Sequence, residues 1–320
     1  MLIYTLRRLN LLLFTLLALT LLSYWLEVEL GTGSTGSLWS GYLHYLHRLL
    51  TGDLGVSLHT GRPVVEELRI YFPATMELCL AAIVLAGMIG IPLGTIAALN
   101  QGKPVDRFIM GASVLGSSIP VYWLGLLLTL LFSLQLRWLP SSGQLNLLYE
   151  IEPVTGFQLL DCWLSHSPDR LNAFIDALQH LCLPAISLAL LPLTEVTRLV
   201  RNSMADVLRQ NYIKAAFSRG WSPAFVILNH GVRNALPPIL PQLALQFGAI
   251  MTSAFIIEQV FEWPGLGRWL ISSIMNRDYV VIQAGLLLVS TLLLVLNITT
   301  ELVSTLLYPA RRKELYGQQD

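Results

Sequence analysis

Long apolar runs recur along this chain, and they constrain its fold more than any other feature. A helix needs about 20 apolar residues to cross the hydrocarbon core of a bilayer. Runs of this length predict an all-α polytopic membrane protein with about six transmembrane helices. The runs cover residues 9–26, 73–99, 108–134, 178–200, 236–260 and 284–307.

The charge content agrees with a membrane protein. Charged residues make up 12% of the 320 residues, against about 25% in a typical soluble domain. The formal net charge is 0, so no global field indicates a nucleic-acid partner. Cys79, Cys162 and Cys182 are far apart and form no metal or redox motif, and Cys79 and Cys182 are interpreted as small apolar residues.

The first apolar run is interpreted as a retained span rather than a cleaved signal peptide. A signal peptide has an apolar core of about 7–15 residues that is followed by small residues at the cleavage site. The run in this chain is longer, and Glu27-Val28-Glu29 follows it.

The distribution of lysine and arginine predicts the orientation, because these residues favour cytoplasmic segments. With the N-terminus inside, the dense basic segments at residues 7–8, 201–219 and 311–313 all face the cytoplasm, and six spans return the C-terminus there. The outer segments 27–72 and 135–177 carry aromatic residues that favour interfacial packing, with a folded lid as the alternative. These residues are Trp39, Tyr42, Tyr45, Trp138, Tyr149 and Trp163.

The stretch RQNYIKAAFSRGW at residues 209–221 is too polar to span a membrane. As a helix, it places Tyr212, Ala215, Ala216 and Arg219 on one face, which the two alanines make shallow. Such a face is suited to a groove on another protein. Packing on the chain's own bundle and binding to the membrane surface remain the alternatives.

A sharp turn is predicted after this helix. Gly220 stands where helices often end in a left-handed residue, a conformation that glycine adopts cheaply. Ser222 is expected to cap a second helix, and Pro223 suits the first turn of that helix.

The segment NYIKAAFSRGWSPAFVILNHGVRNALPPILPQ resembles the cytoplasmic signature of ABC-transporter permeases of the dipeptide/oligopeptide branch. The resemblance implies a coupling helix that fits into an ATP-binding subunit, within the cytoplasmic loop 201–235. Lys214 stands where the general signature has Glu. The residues that match are Ala215, Ala216, Gly220, Asn234, Ala235, Leu236 and Pro238, and the implied coupling residues are Tyr212, Lys214, Ala215, Ala216, Arg219 and Gly220.

A second stretch, EQVFEWPGLGRWL at residues 258–270, resembles the family's motif after the fifth span. Its Pro-Gly-x-Gly sequence predicts a tight turn at the outer end of that span and a short re-entrant or interfacial segment. The matching residues are Glu258, Phe261, Pro264, Gly265, Leu266 and Gly267.

A third match lies near the N-terminus, and within the branch the chain is most similar to the Sap-type permeases. The resemblance implies the type I ABC-importer permease fold. It divides the chain into a first span with its outer segment (1–72), a permease core of five spans (73–310) and a basic cytoplasmic tail (311–320). The matching residues are Gly52, Asp53, Leu54, Gly55, Pro63, Val64, Pro73, Ala74, Thr75 and Glu77.

The resemblance also implies the function and the partners. The chain is expected to be a permease subunit in the bacterial inner membrane that moves peptides, with cationic or antimicrobial peptides favoured. Putrescine or haem is the alternative cargo, and a self-sufficient secondary transporter is a weaker alternative. The implied partners are a second homologous permease, two cytoplasmic ATP-binding subunits, a periplasmic substrate-binding protein and the lipid bilayer.

No catalytic role is expected. The sequence contains no phosphate-binding loop, and QGKP at residues 101–104 is only a polar turn, so ATP is expected to bind to the partner subunits and no cofactor or metal to this chain. His44 and His47 are interpreted as unpaired interfacial histidines. Glu195 and Glu301 lie near the inner ends of their spans. They are expected to pair with Arg198 or another nearby basic group, and a functional role is the alternative.

Overall fold

The computed structural model describes residues 2–29 and 38–307, and these residues form helices joined by loops without a β-strand. The helices are α1 (Leu2–Glu29), α2 (Leu38–Leu50), α3 (Val64–Leu99), α4 (Pro104–Ser117), α5 (Val121–Leu128), α6 (Gln158–Leu164), α7 (Arg170–Leu208), α8 (Asn211–Ser218), α9 (Pro223–Val226), α10 (Arg233–Ala235), α11 (Leu240–Val260), α12 (Leu266–Met275) and α13 (Tyr279–Leu307). Helix α5 continues into a π-helical turn at Thr129–Gln135, and α9 into another at Ile227–Val232.

Four of these helices, α1, α3, α7 and α13, are long and apolar enough within the described residues to cross a membrane, and α4 with α5 makes a fifth candidate span. The fifth predicted span coincides with α11, which is 21 residues long. The architecture confirms the all-α polytopic fold class.

The third predicted span is not one continuous helix. The axes of α4 and of the helix over Val121–Gln135 differ by 97°. Pro120 precedes the second helix, and proline removes a backbone donor while it disfavours helical geometry at the residue before it. The predicted span over residues 108–134 therefore has a break before Pro120, which apolar content alone did not indicate.

Helices α3 and α7 are held in close contact by glycines. A Cβ atom on Gly94 would lie 2.7 Å from the Thr197 carbonyl oxygen and 2.7 Å from Val200 Cβ. A Cβ atom on Gly90 would lie 2.9 Å from Val196 Cγ1. Small residues allow such close packing between membrane helices, so Gly90 and Gly94 let α3 and α7 approach each other closely.

The four spanning helices α1, α3, α7 and α13 are all longer than the predicted runs. Helix α7 has 39 residues, which corresponds to about 58 Å and exceeds the hydrocarbon core by a wide margin. Its C-terminal part therefore extends beyond the bilayer and leads directly to α8. Helix α3 begins at Val64 and passes through the predicted division at residues 72 and 73.

The main apolar core lies at the end of the bundle opposite α8, where α3, α7, α11, α12 and α13 meet. Phe261 and Trp263 are each 1% exposed, and Trp263 Nε1 donates a hydrogen bond to the Ala74 carbonyl oxygen at 3.0 Å. These contacts fix the turn between α11 and α12. We call this side of the bundle the Pro-Gly end and the other side the α8 end.

Candidate functional site

Helix α8 is a short helix with a defined end, as the sequence predicted. It covers Asn211–Ser218 and is followed by Gly220 with φ +81°. A Cβ atom at Gly220 would meet no atom within 4 Å. Glycine is therefore favoured at this position by the left-handed backbone and not by a lack of space.

The second helix after this turn also begins as predicted. The Ser222 hydroxyl oxygen accepts a hydrogen bond from the Phe225 backbone N–H, and Pro223 is the first residue of α9. A side-chain cap of this kind satisfies one of the free N–H groups at the start of a helix.

The predicted face of α8 is divided between two environments. Ile213 and Ala216 are 0% and 6% exposed and pack against Val226 in α9 and against Val207 and Leu208 in α7. Ala216 therefore does not lie on the exposed face, because Ile213 and Ala216, three residues apart, form the apolar side of the helix. The face on which Tyr212, Lys214, Ala215 and Arg219 remain exposed is the one available to a partner.

Exposed aromatic residues lie on α8 and just after it, and Tyr212 is the one of them that the sequence motif had indicated. Tyr212, Phe217, Trp221 and Phe225 are between 40% and 46% exposed, and we call them the aromatic patch. Trp221 stacks on His230 with ring centroids 5.3 Å apart and an interplanar angle of 12°. A contiguous exposed apolar surface with a polar rim is typical of an interaction site.

Several exposed basic residues lie close to the aromatic patch along the chain. Lys214 is on α8, Arg219 directly follows this helix, and Arg209 and Arg233 come shortly before and after. Aromatic and arginine side chains are enriched where proteins bind one another. The α8 end therefore has the composition of a protein-docking surface, and the repeated aromatic residues of YIKAAFSRGWSPAF were the sequence signal for it.

At the opposite end, Glu258 organises the turn between α11 and α12. This carboxylate is 0% exposed and accepts hydrogen bonds from the Thr75 hydroxyl at 2.6 Å, from Gly267 N–H at 2.7 Å and from Arg268 N–H at 3.2 Å. Thr75 Oγ1 in turn accepts a hydrogen bond from Leu266 N–H at 2.7 Å. Residues of the second and third sequence matches thus come together at one buried site.

Both glycines of the Pro-Gly-x-Gly sequence are required because neighbouring residues leave no room for a Cβ atom. A Cβ atom on Gly265 would lie 2.3 Å from the Glu258 carboxylate, and one on Gly267 would lie 2.4 Å from Phe255 Cα. The chain turns at residues 261–265 and enters the short helix α12, which confirms the predicted turn and short segment. Pro264, Leu266 and the buried Phe261 complete this motif.

Two further carboxylates fix the Pro-Gly end. Glu77 accepts hydrogen bonds from Leu159 N–H at 2.8 Å and from Gln158 N–H at 3.1 Å, so it joins the start of α6 to α3. Glu67 accepts a hydrogen bond from Trp269 Nε1 at 2.7 Å, so it joins α12 to α3. The sequence matches included Glu77, whereas nothing in them indicated Glu67.

The two carboxylates near the inner ends of the predicted spans have different outcomes. Glu195 pairs with Arg198 as expected, whereas the side chain of Glu301 lies outside the described residues. The part of the chain that the structure describes contains no group of His, Cys, Asp or Glu suited to a metal ion. The expectation that the chain binds no cofactor stays a prediction.

The described residues form a bundle of membrane-spanning helices with exposed aromatic residues at one end and a fixed turn at the other, as a permease subunit of a transport system requires. Residues 90–313 match the family of binding-protein-dependent transport system inner membrane components. The chain belongs to this family, and it is a multi-pass inner-membrane protein.

Curated relatives match nearly the whole chain. The peptide transport system permease protein SapB of Salmonella typhimurium strain LT2 is 46% identical over 319 residues, which are 99% of each chain. The putrescine export system permease protein SapB of Escherichia coli strain K12 is also 46% identical, over 321 aligned residues and 99% of each chain.

A solved structure shares the fold at low identity. The structure of inward facing conformations of the MetNI methionine ABC transporter aligns with a TM-score of 0.52 and 14% identity, over 75% of this chain and 96% of that chain. The type I ABC-importer permease fold that the sequence resemblance implied is therefore confirmed.

Proposed function

We propose that this chain is the permease subunit of an ATP-driven transporter that moves peptides across the bacterial inner membrane. The observation that carries the proposal is the exposed surface formed by α8 and the aromatic patch, which is packed on the end of α7. A relative of 46% identity over nearly the full length is named as a peptide transport permease.

The α8 end is proposed to face the cytoplasm and to receive an ATP-binding subunit. Basic residues are concentrated at this end, as expected for cytoplasmic segments. The N-terminus, the C-terminus and the predicted loop 201–235 then lie on the cytoplasmic side. Two ATP-binding subunits and a second permease would complete the complex, and ATP hydrolysis would occur on the former.

The Pro-Gly end then faces the periplasm, where a substrate-binding protein would deliver the cargo. The buried carboxylates Glu67, Glu77 and Glu258 hold α12 and the segment before α7 on α3. This network makes the outer surface a rigid platform, because each carboxylate accepts a hydrogen bond from an element other than its own. A preformed surface of this kind is suited to repeated docking of a soluble partner.

A cavity at the Pro-Gly end supports peptides as the cargo. It has a volume of about 990 Å³ and lies beside Pro264, between the outer part of α3, Leu288 of α13 and the segment 153–161. Most of its lining residues are apolar, and Arg69 is the cation among them. Apolar walls with one cation are suited to a peptide that has apolar side chains and a terminal carboxylate.

Putrescine is the second candidate, because a relative of equal identity is named as a putrescine exporter. A diamine needs anionic partners at both ends. Among the described residues that line the cavity, Asp161 is the one acidic residue, and its carboxylate accepts hydrogen bonds from Thr155 N–H, the Thr155 hydroxyl and Gly156 N–H. The cavity therefore favours a peptide over a diamine.

The docking proposal is tested by purifying the permease with its candidate ATP-binding subunits. Ala215→Glu places a charge on the exposed face of α8 and is expected to abolish complex formation, whereas the small Ala215→Ser variant keeps it. Membrane insertion of both variants is the control. Retention of the ATP-binding subunits by Ala215→Glu would show that this face is not the docking surface.

The cargo is tested in proteoliposomes that contain the complete complex and the cognate binding protein. Apolar tripeptides are expected to stimulate ATP hydrolysis, and Arg69→Gln is expected to weaken that stimulation. Stimulation by putrescine alone would transfer the assignment to the second candidate.

A further inference from the structure

The turn between α3 and α4 is bonded to α7 at the α8 end. Arg201 of α7 donates from Nε to Asp106 Oδ1 at 3.0 Å and from Nη2 to Asp106 Oδ2 at 2.7 Å. Asp106 is 3% exposed. Two parallel bonds between a guanidinium and a carboxylate fix both distance and orientation, so this ion pair holds the start of α4 rigidly on α7.

Two other hydrogen bonds extend this connection. Gly102 N–H donates to Asp106 Oδ2 at 2.9 Å, which fixes the turn to the carboxylate that Arg201 holds. Arg209 Nη2 donates to Gln101 Oε1 at 3.1 Å. Arg209 follows the last residue of α7 and comes shortly before α8, so the turn is also bonded to the short link between these two helices.

Helix α8 is itself packed on the end of α7. Ile213 and Ala216 contact Val207 and Leu208. The Ser203 hydroxyl donates to the Ala235 carbonyl oxygen at 2.8 Å, which joins α7 to α10. A displacement of α8 therefore has to displace the end of α7 as well.

The helices joined by these contacts are α3, α4, α7 and α8. The far end of α4 is the break between α4 and α5. The helices diverge by 97° there, and Ser118, Ile119 and Pro120 lie between them. A proline-containing break of a few residues can absorb changes of backbone angle, as hinges do. Among the joined helices, Gly90 and Gly94 keep α3 in contact with α7.

We propose that the Asp106–Arg201 ion pair makes α3, α4 and α7 move as one unit with α8, and that this unit pivots against α5 at residues 118–120. Asp106 and Arg201 are thus positioning residues for transport. The inference rests on the proposed function, because it assumes that an ATP-binding subunit displaces α8.

A matched control is available on the same helix. Glu195 and Arg198 form an ion pair within α7, three residues apart. This pair joins no second element to α7, whereas the Asp106–Arg201 pair joins α4 to it. Glu195→Gln and Asp106→Asn each neutralise the acidic partner of an ion pair. They differ in whether that pair joins a second helix to α7.

The test uses spin labels in the complete reconstituted complex, measured without nucleotide and after trapping with ATP and orthovanadate. Cys79 and Cys162 are buried, and Cys182 is replaced by alanine. One label pair at Lys103→Cys and Asp206→Cys reports motion within the unit. A second pair at Lys103→Cys and Trp138→Cys reports motion across the break.

The inference predicts that the distance between positions 103 and 206 is the same in both states, while the distance between positions 103 and 138 changes. Asp106→Asn is expected to shift or broaden the first distance on trapping, and Glu195→Gln is expected to leave it unchanged. The exchanged pair Asp106→Arg with Arg201→Asp is expected to restore the single distance.

In the chain that keeps Asp106 and Arg201, a change in the distance between positions 103 and 206 on trapping would overturn the inference. This result would not depend on whether the variants assemble. A sharp, constant distance in Asp106→Asn would also overturn it. Failure of the parent chain to assemble with any ATP-binding subunit would instead refute the proposed function, and the inference would fall with it.

Discussion

Thr75→Val is a stringent test of the Pro-Gly end, because the change keeps the shape of the side chain and removes only its hydroxyl. Thr75 Oγ1 donates to Glu258 at 2.6 Å and accepts from Leu266 N–H at 2.7 Å. Both Thr75 and Glu258 are 0% exposed. Valine would leave a buried N–H without its partner and would remove one of the donors that stabilise a buried carboxylate.

The size of the effect follows from these two losses. An unsatisfied buried donor costs about 1–3 kcal/mol, and a hydrogen bond to a charged group contributes about 1.5–3 kcal/mol. Allowing for local relaxation, we expect Thr75→Val to lower the free energy of unfolding by about 2–4 kcal/mol.

The assay is the thermal unfolding midpoint of the purified permease in detergent, with Thr75→Ser as the control that keeps the hydroxyl. Thr75→Val is expected to unfold at a clearly lower temperature than Thr75→Ser. Equal midpoints for the two variants would refute the argument that the Thr75–Glu258 contact holds the turn in place.

Two further predictions concern the same end of the bundle. Gly267→Ala places a Cβ atom 2.4 Å from Phe255 Cα and is expected to cost about 1–3 kcal/mol through overpacking, measured as a lower unfolding midpoint than that of Gly87→Ala, whose Cβ would meet nothing within 4 Å. Burial is the largest single influence on the Asp278 carboxyl and raises its pKa, yet hydrogen bonds from Ser57 and from nearby backbone N–H groups together hold the pKa below its usual range. Asp278 therefore contributes stability above its unfolded-state pKa that is lost as the pH falls through the lower folded-state pKa, and Ser57→Ala is expected to reduce this acid dependence of the unfolding midpoint.

Local patterns in the sequence predicted the elements of the α8 end well. Gly220, Ser222 and Pro223 each have a conformational or capping preference that acts over a few residues, so their positions could be assigned without knowledge of the rest of the chain. Ala216 could not be placed correctly, because its burial depends on packing against α7 and α9. Helical periodicity alone does not identify which face a partner element covers.

Long-range pairings were the part that the sequence did not reveal. Asp106 and Arg201 are far apart in the chain, as are Glu67 and Trp269, and nothing near either residue indicates its partner. The bend at Pro120 was accessible in principle, since proline disfavours helix at the preceding residue. Apolar content alone gave the correct region for that span and did not indicate its break.

The central claim is that α8 and the aromatic patch receive an ATP-binding subunit, and site-specific photocrosslinking in intact membranes tests it most directly. A photoreactive residue at Tyr212, 46% exposed, is compared with one at Trp163, which is 64% exposed near the opposite end. The account predicts an adduct with an ATP-binding subunit from position 212 and none from position 163. An adduct with an ATP-binding subunit from position 163, or no such adduct from position 212 in an active complex, would contradict it.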